Sequence, residues 1–234
     1  VVAYGRILPL TVLQAPRYGA VNVHFSMLPK YRGAAPVQWA LVHGEESTGV
    51  TTMQLSEGMD EGDVLLQREL AILPGEHTPA LFRRLVEAGV PLLLETLRGL
   101  EDGSLSPRPQ DPEQATYAPI ITRQDGEPDL SVPASRLEGL VRGFDPWPGV
   151  WLSRGGKRLR IRKAHAVAGE SHGAIPGTVL GLEDDGVRLA CGNGTVLAVA
   201  VLQPEGKREM TARDAVNGRQ LAPGDRLEPV AALG

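Results

Sequence analysis

Residues 104–112 constrain the fold most, because the run Ser-Leu-Ser-Pro-Arg-Pro-Gln-Asp-Pro holds too much proline for a helix or a central strand. Such a run favours an extended connection between domains. A chain of 234 residues is long enough for two modest hydrophobic cores, one on either side of it. The sequence therefore predicts a first domain over residues 1–105, a linker over 106–124 and a second domain over 125–234.

The first hundred residues alternate short apolar runs with helical patterns, which is typical of an α/β domain with a parallel sheet. The predicted strands are Val1–Tyr4, Gly19–Phe25 and Val50–Leu55. Pro36–His43 is predicted to be a helix that Gly44 ends. The chain opens without methionine on a strand pattern, so we expect a fragment that lacks the beginning of its first domain.

A longer helix is predicted after Thr78, which has the residue type of an N-cap and is followed by proline. One apolar stripe of this helix is predicted from Leu81, Phe82, Leu85 and Val86. Gly89 and Pro91 are expected to kink or split the helix.

The second half begins with a predicted helical face and continues with short strands. The helical face consists of Leu137, Leu140, Val141 and Phe144, and the strands lie near 159–167, 177–183, 186–191 and 195–202. Glycine and aspartate separate these strands at close intervals, which favours a small antiparallel barrel or sandwich. A late helix is expected at Thr211, with Asp214 completing an acidic variant of a capping box.

Composition excludes several classes of protein. The net charge of −4 does not indicate a nucleic-acid binder, although a local basic face remains possible. Cys191 is the single cysteine, which rules out an internal disulfide and a thiolate metal cluster. No apolar run reaches the roughly 20 residues that span a bilayer, and the N-terminus lacks a signal-peptide pattern. We therefore expect a cytoplasmic protein.

The segment Val21-Asn22-Val23-His24 places two polar side chains on one face of a predicted strand and two valines on the other. At the carboxyl end of a parallel strand, such a pair would face the crevice where open α/β sheets bind ligands. An isolated Asn-x-His pair is more often structural than reactive, so the pair alone does not define a site.

Two further blocks change this interpretation: the loop Ser26–Pro36 and the turn Glu57–Asp63. Together with Asn22 and His24 they resemble the pattern of folate-dependent formyltransferases. In that pattern Asn-x-His precedes a Ser-Leu-Leu-Pro-like loop, and a later Gly-x-Asp-x-Gly turn supplies an aspartate, here Asp60.

Three other segments show which family of folate-dependent formyltransferases the chain resembles: Arg32–Gln38, Phe144–Gly149 and Leu202–Lys207. They are similar to the methionyl-tRNA formyltransferase family, and the resemblance covers the whole chain. It implies a Rossmann-like formyltransferase domain, truncated at its N-terminus, followed by a small OB-like β-barrel that binds tRNA.

The resemblance also implies the reaction. A formyl group would pass from 10-formyltetrahydrofolate to the amino group of methionyl-tRNA(fMet) in translation initiation, with no metal. Asn22 and His24 would donate to the developing oxyanion, and Asp60 would pair with His24. The implied folate-binding residues are Ser26, Met27, Leu28 and Pro29, with Gly5, Arg6, Ile7 and Leu8 beside the pterin ring.

A basic run at residues 154–163 holds six basic residues and no acidic one. Arg158, Arg160 and Arg162 would share one face of a strand, and Lys163 ends the run. Lys207 and Arg208 would extend the same positive field. Contact with tRNA phosphates is one interpretation of this face. A solvated barrel exterior is the other.

Two alternative functions remain open. A sugar-nucleotide formyltransferase would also join a formyltransferase domain to a second small domain and use the same Asn, His and Asp, so that its substrate would distinguish it. A catalytically silent RNA-binding fragment is the alternative of another class. Glycinamide ribonucleotide formyltransferases share the first constellation but lack such a second domain. We expect a monomer whose partners are initiator methionyl-tRNA and 10-formyltetrahydrofolate.

Overall fold

The computed structural model describes residues 1–2, 8–168, 171 and 173–230, and the chain forms two compact units. The first unit comprises Val1–Ala40 and Glu45–Ile121, and the second comprises Leu41–Gly44 and the chain from Thr122 onward. The elements of residues 8–121 are α1 (Leu10–Leu13), β1 (Val21–His24), β2 (Arg32–Gly33), α2 (Pro36–His43), β3 (Ser47–Gln54), β4 (Val64–Ala71), α3 (Thr78–Asp102) and β5 (Tyr117–Ala118).

The main sheet of the first unit has the strand order β1-β3-β4, and both pairs are antiparallel. Parallel pairing, which was predicted for this sheet, occurs at the bridge between Val2 and Val23. The alternation of side chains fixes which residues share a face of a strand, but it does not encode the direction of the neighbouring strand. The predicted first strand continues into Ala3 and Tyr4, which lie outside the described residues.

Helix α3 is continuous over its 25 residues, so Gly89 and Pro91 do not split it. Its N-cap is His77, and Thr78 is its first helical residue. Gly89 is buried against the sheet, where an added Cβ would lie 3.5 Å from Val50 Cγ1. Pro91 faces solvent and removes one backbone donor, a loss that packing of the buried face outweighs.

Only part of the predicted apolar stripe of α3 is buried. Leu81 and Leu85 are fully buried, whereas Phe82 and Val86 are 41% and 38% exposed. The buried residues of the helix are Thr78, Leu81, Leu85, Gly89, Leu92, Thr96 and Gly99. Gly89 in this stripe lets the helix lie close to Val50 and Val23 of the strands.

The segment after α3 remains with the first unit as far as Ile121. Arg108 forms an antiparallel bridge with Val64, and β5 pairs in parallel with β2. A proline-rich segment can pair in this way at the edge of a sheet, where some of its backbone donors are not needed. Much of the stretch predicted as a linker is therefore part of the first unit.

The second unit is an antiparallel sheet with two helices. Its elements are α4 (Ala134–Gly143), β6 (Val150–Arg154), β7 (Lys157–Val167), β8 (Val179–Glu183), β9 (Gly186–Ala190), β10 (Val196–Pro204), β11 (Met210–Thr211), α5 (Ala212–Asn217) and β12 (Glu228–Pro229). The strand order is β12-β6-β7-β10-β9-β8, with β11 paired to β10. Leu137 and Val141 of α4 pack in one core with Leu159, Ile161 and Leu189 of the sheet.

The α/β class of the chain is confirmed, and so is the antiparallel second half. The predicted cap of α5 is also present, since Thr211 Oγ1 accepts a hydrogen bond from the Asp214 backbone N–H at 3.1 Å.

Within the described ranges, each helix is too short or too polar to cross a bilayer.

Candidate active site

Asn22, His24 and Asp60 line one cleft in the first unit, with a volume of about 860 Å³. Both Asn22 and His24 lie on β1, two residues apart, and the intervening Val23 is buried. An added Cβ at Gly89 of α3 would lie 3.6 Å from Val23 Cγ1, so Val23 packs beside that helix. The strand thus anchors its apolar side chain in the core and presents two polar side chains to the cleft.

Both ring nitrogens of His24 face groups of the chain. Nε2 lies 2.8 Å from the backbone oxygen of Tyr31, and a carbonyl oxygen only accepts, so Nε2 carries hydrogen and donates. Nδ1 lies 3.6 Å from Asp60 Oδ2. The His24 side chain is buried, which fixes the orientation of its ring. Nδ1 is therefore the position at which this imidazole can gain or lose a proton.

Asp60 is held by its backbone conformation and by one neighbouring amide. Its φ is +51°, in the left-handed region that aspartate tolerates better than most residues. Its Oδ2 atom accepts a hydrogen bond from the Gly33 backbone N–H at 2.8 Å. Gly33 has a φ of +116°, and an added Cβ there would lie 2.6 Å from the backbone oxygen of Ala118. Glycine is thus required at the residue that holds the carboxylate.

The side-chain amide of Asn22 is available to a ligand. It lines the cleft, and none of its hydrogen-bonding atoms is bonded to another residue in the described part of the chain. An amide N–H at such a position can donate to an oxygen that becomes negative during a reaction.

The loop after β1 is held by side chains of β3 and β4. Thr51 Oγ1 donates to the Ser26 backbone oxygen at 2.7 Å and accepts from the Leu28 backbone N–H at 3.2 Å. Gln67 Nε2 donates to the Leu28 backbone oxygen at 2.8 Å and to Thr51 Oγ1 at 3.0 Å. Thr51 stands directly opposite His24 in the β1–β3 register. The strand pair that places His24 therefore also fixes the start of the loop.

The far end of the same loop is fixed at Tyr31. The Tyr31 backbone N–H donates to Thr116 Oγ1 at 2.8 Å, and its backbone oxygen accepts from His24. The backbone N–H of Arg32 donates to the backbone oxygen of Thr116 at 2.8 Å. Residues near β5 thus hold the segment that His24 contacts.

Of the predicted folate-binding residues that the structure describes, one lines the cleft and four do not. Leu8 lines the cleft. Ser26 and Leu28 are buried within the unit, and Leu28 packs against Met53. The four loop residues Ser26, Met27, Leu28 and Pro29 are not among the residues that line the cleft. Gly5, Arg6 and Ile7 lie outside the described residues.

Four residues that support the site were not singled out from the sequence: Thr51, Gln67, Gln110 and Thr116. Thr51 lies in a predicted strand, so its place opposite His24 follows once the register is known. Gln110 and Thr116 lie in the stretch predicted as a linker, where no local pattern indicated a role.

The basic strand of the second unit carries its own counter-charges. Arg158, Arg160 and Arg162 alternate along β7 with buried Leu159 and Ile161, so the three arginines share a face as predicted. The face is partly covered by Trp151, over whose ring the guanidinium of Arg158 lies, 4.9 Å from the ring centroid.

Each of these arginines has an acidic partner. Arg158 pairs with Glu205 at 3.2 Å, and Arg162 pairs with Asp145 at 2.7 Å and with Glu209 at 2.6 Å. Arg160 lies 3.7 Å from Asp145 and donates to the Pro146 backbone oxygen. Burial lowers the pKa of Arg160, and the nearby charge of Arg162 lowers it further.

Lys163 and Lys207 differ from these arginines. Lys163 is exposed, and Lys207 Nζ lies 3.4 Å from Gln220 Oε1. Neither ammonium group is paired with a carboxylate of the described residues. Of these five residues, the two lysines therefore carry the positive charge that no carboxylate of the described residues offsets.

The comparisons with known proteins agree with this geometry. Residues 1–97 match the family model described as "Formyl transferase", and residues 120–220 match the model "Formyl transferase, C-terminal domain". The methionyl-tRNA formyltransferase of Acidobacterium capsulatum is 49% identical over 227 residues, which cover 97% of this chain and 72% of that protein. The chain belongs to the methionyl-tRNA formyltransferase family. The resemblance seen in the sequence is thus confirmed.

Solved structures of lower identity share the fold. HypX from Aquifex aeolicus, in complex with tetrahydrofolic acid, has a TM-score of 0.60 at 22% identity over 84% of this chain and 34% of its own. An N-formyltransferase from Helicobacter canadensis, in complex with folinic acid and dTDP-3-aminofucose, has a TM-score of 0.63 at 16% identity. That match covers 79% of this chain and 65% of the other.

Proposed function

We propose that this chain transfers the formyl group of 10-formyltetrahydrofolate to the α-amino group of methionyl-tRNA(fMet), the step that prepares initiator tRNA for translation initiation. The observation that carries the proposal is the presence of Asn22, His24 and Asp60 on one cleft of a chain that is 49% identical to a methionyl-tRNA formyltransferase. Because its substrate takes part in translation, the proposal places the protein in the cytoplasm.

The proposed chemistry begins with attack by the neutral amine of the methionyl group on the formyl carbon. A carbon–nitrogen bond forms, and the formyl oxygen becomes an oxyanion to which the Asn22 amide donates. The amine releases one proton, for which His24 Nδ1 is the proposed acceptor, because Nε2 is occupied as the donor to Tyr31.

The second step restores the carbonyl. The oxyanion collapses, the bond from the formyl carbon to N10 of the folate breaks, and N10 takes the proton from the His24–Asp60 pair. Asp60 lies 3.6 Å from the proton-carrying nitrogen and stabilises the ring while it is charged. One proton leaves the amine and one reaches the folate, so the enzyme returns to its initial state.

The folate-binding roles rest on the resemblance and on position. Leu8 lines the cleft and is proposed to contact the pterin ring, together with Gly5, Arg6 and Ile7. For Ser26, Met27, Leu28 and Pro29 we propose that the backbone of the loop, rather than the two buried side chains among them, borders the cofactor.

The second unit is proposed to bind the tRNA through the exposed face of β7. Arg158, Arg160 and Arg162 are parts of this proposed surface, but their acidic partners reduce its net charge. Lys163 and Lys207 are therefore proposed to contribute most of the attraction to phosphate.

The experiment that tests the function offers the chain two classes of amine. The protein is incubated with 10-formyltetrahydrofolate and either methionyl-tRNA(fMet) or a dTDP-linked amino sugar, and the products are identified by mass spectrometry. We expect formylation of methionyl-tRNA alone. Formylation of the amino sugar alone would make the chain a sugar-nucleotide formyltransferase. Formylation of neither, with retained binding to tRNA, would make it a silent RNA-binding protein.

A further inference from the structure

Gln110 connects two parts of the candidate active site through its side-chain amide. Its Oε1 atom accepts hydrogen bonds from Arg32 Nε at 3.1 Å and from Arg32 Nη2 at 2.8 Å. Its Nε2 atom donates to the backbone oxygens of Asp60 at 2.8 Å and of Gly62 at 2.7 Å. A primary amide has two acceptor sites and two donor hydrogens, so these four bonds use its full capacity.

The two donor bonds hold the turn that carries Asp60. The carboxylate of Asp60 is held by the Gly33 backbone N–H, while the backbone of the same residue is held by Gln110. A residue with a positive φ keeps that conformation only when its surroundings fix it. Gln110 therefore supplies the second of two contacts that fix where the carboxylate faces His24.

The two acceptor bonds hold Arg32, which lines the cleft and is 6% exposed. Among the described residues, the groups that accept from this guanidinium belong to the neutral amide of Gln110. A glutamate at position 110 would still accept from Arg32. It would, however, place a carboxylate oxygen against the backbone oxygens of Asp60 and Gly62, where the amide places hydrogens.

We propose that Gln110 is a positioning residue for formyl transfer, which keeps the Asp60 turn in the place where its carboxylate faces His24. The inference deepens the proposed function and rests on it for its catalytic readout. It assigns a role in the active site to a residue of the stretch that the sequence predicted as a linker.

The kinetic test compares three variants. Gln110→Met keeps the size of the side chain and removes all four bonds, whereas Gln110→Glu keeps the contact to Arg32 and loses the two donors. Gln114→Met is the matched control, because Gln114 is exposed and its amide donates to Asp111. We expect kcat to fall about 10- to 100-fold in both Gln110 variants, because a small displacement of a catalytic group is costly. We expect the KM for the folate to change by less than about 3-fold, and the control to match the wild type.

A spectroscopic readout separates this inference from the proposed function. The ring ¹⁵N signals of His24, assigned with a His24→Gln variant, report the contact with Asp60 whether or not any substrate is formylated. We expect these signals to shift in Gln110→Met and Gln110→Glu and to stay unchanged in Gln114→Met. Wild-type His24 signals in a folded Gln110→Glu protein would overturn the positioning role, and so would a wild-type kcat. If the wild type formylates no amine, the proposed function fails, and the His24 signals still decide the role of Gln110.

Discussion

The Oδ2 atom of Asp60 lies 3.6 Å from Nδ1 of His24, in a cleft that Asn22 also lines. The opposite nitrogen of the ring donates to the backbone oxygen of Tyr31. This arrangement gives the imidazole one nitrogen with a fixed structural bond and one nitrogen that faces a carboxylate. Proton transfer through His24 would then depend on Asp60.

Replacement of Asp60 by asparagine tests this dependence. Asn keeps an oxygen that can accept from the Gly33 backbone N–H but removes the charge that faces His24. We expect kcat for formyl transfer to fall by about 10²- to 10⁴-fold, with little change in Tm. Asp63→Asn is the matched control, since Asp63 follows the same turn but does not line the cleft. Equal turnover in the two variants would remove Asp60 from the mechanism.

Gly33→Ala tests the contact that holds the carboxylate. The new Cβ would lie 2.6 Å from the Ala118 backbone oxygen at a φ of +116°, so the β2–β5 pair must separate. We expect a loss of roughly 1–3 kcal/mol in the free energy of unfolding and a fall in kcat. Gly75→Ala, at a φ of +67° with open space around it, measures the cost of a positive φ without a steric clash. If both variants lose the same stability and activity, the contact with Ala118 is not what requires glycine.

Thr51→Val tests whether the loop after β1 is held from β3. Valine matches the shape of threonine but leaves the Leu28 backbone N–H without its acceptor in a buried place. We expect a loss of about 1–3 kcal/mol by urea denaturation, together with weaker formyl transfer. Thr51→Ser retains the hydroxyl group and should retain more of the activity. If valine and serine gave the same turnover, the hydroxyl would not position the loop.

Charge reversal tests the proposed tRNA surface. In the double variant Lys163→Glu and Lys207→Glu we expect weaker tRNA binding and a salt slope that decreases by about 1 for each phosphate that the protein no longer neutralises. The double variant Arg83→Glu and Arg98→Glu, on exposed positions of α3, changes the net charge equally. Affinity is measured by filter binding at several salt concentrations. If the two double variants bind tRNA equally weakly, the effect comes from net charge and not from this surface.

The buried thiol of Cys191 predicts a loss of stability at alkaline pH. Burial raises its pKa to about 11 from 9.0. Between these values the unfolded thiol has lost its proton while the folded thiol keeps it, so the free energy of unfolding falls as the pH rises. The loss approaches about 3 kcal/mol near pH 11. Urea denaturation of the wild type and of Cys191→Ala at pH 8 and pH 10.5 should show the difference; parallel pH dependence would contradict it.

The sequence predicted those parts of the structure that depend on local patterns. The alternation in Val21–His24 predicted which side chains leave the core, and Thr211 predicted the cap of α5. The loop and turn blocks predicted that Asp60 belongs with His24, although they lie far apart in the chain.

The features that the sequence did not predict depend on partners distant in the chain. The direction of β3 relative to β1 follows from the path of the connection between them. The continuity of α3 through Pro91 follows from packing against strands. The basic run of β7 meets carboxylates of Asp145, Glu205 and Glu209, which lie outside the run itself.

Strand β5 and Gln110 have a consequence for recombination between related enzymes. A chimera that takes its first unit from one formyltransferase and its second from another has two apparent crossover points, one at the prolines near residue 105 and one after Ile121. A crossover at the first point would place a foreign residue 110 against the Asp60 turn and a foreign edge strand along the cleft. A crossover after Ile121 transfers the second unit and leaves the catalytic geometry with its parent. If the second unit binds tRNA as proposed, the hybrid inherits turnover from one parent and tRNA preference from the other.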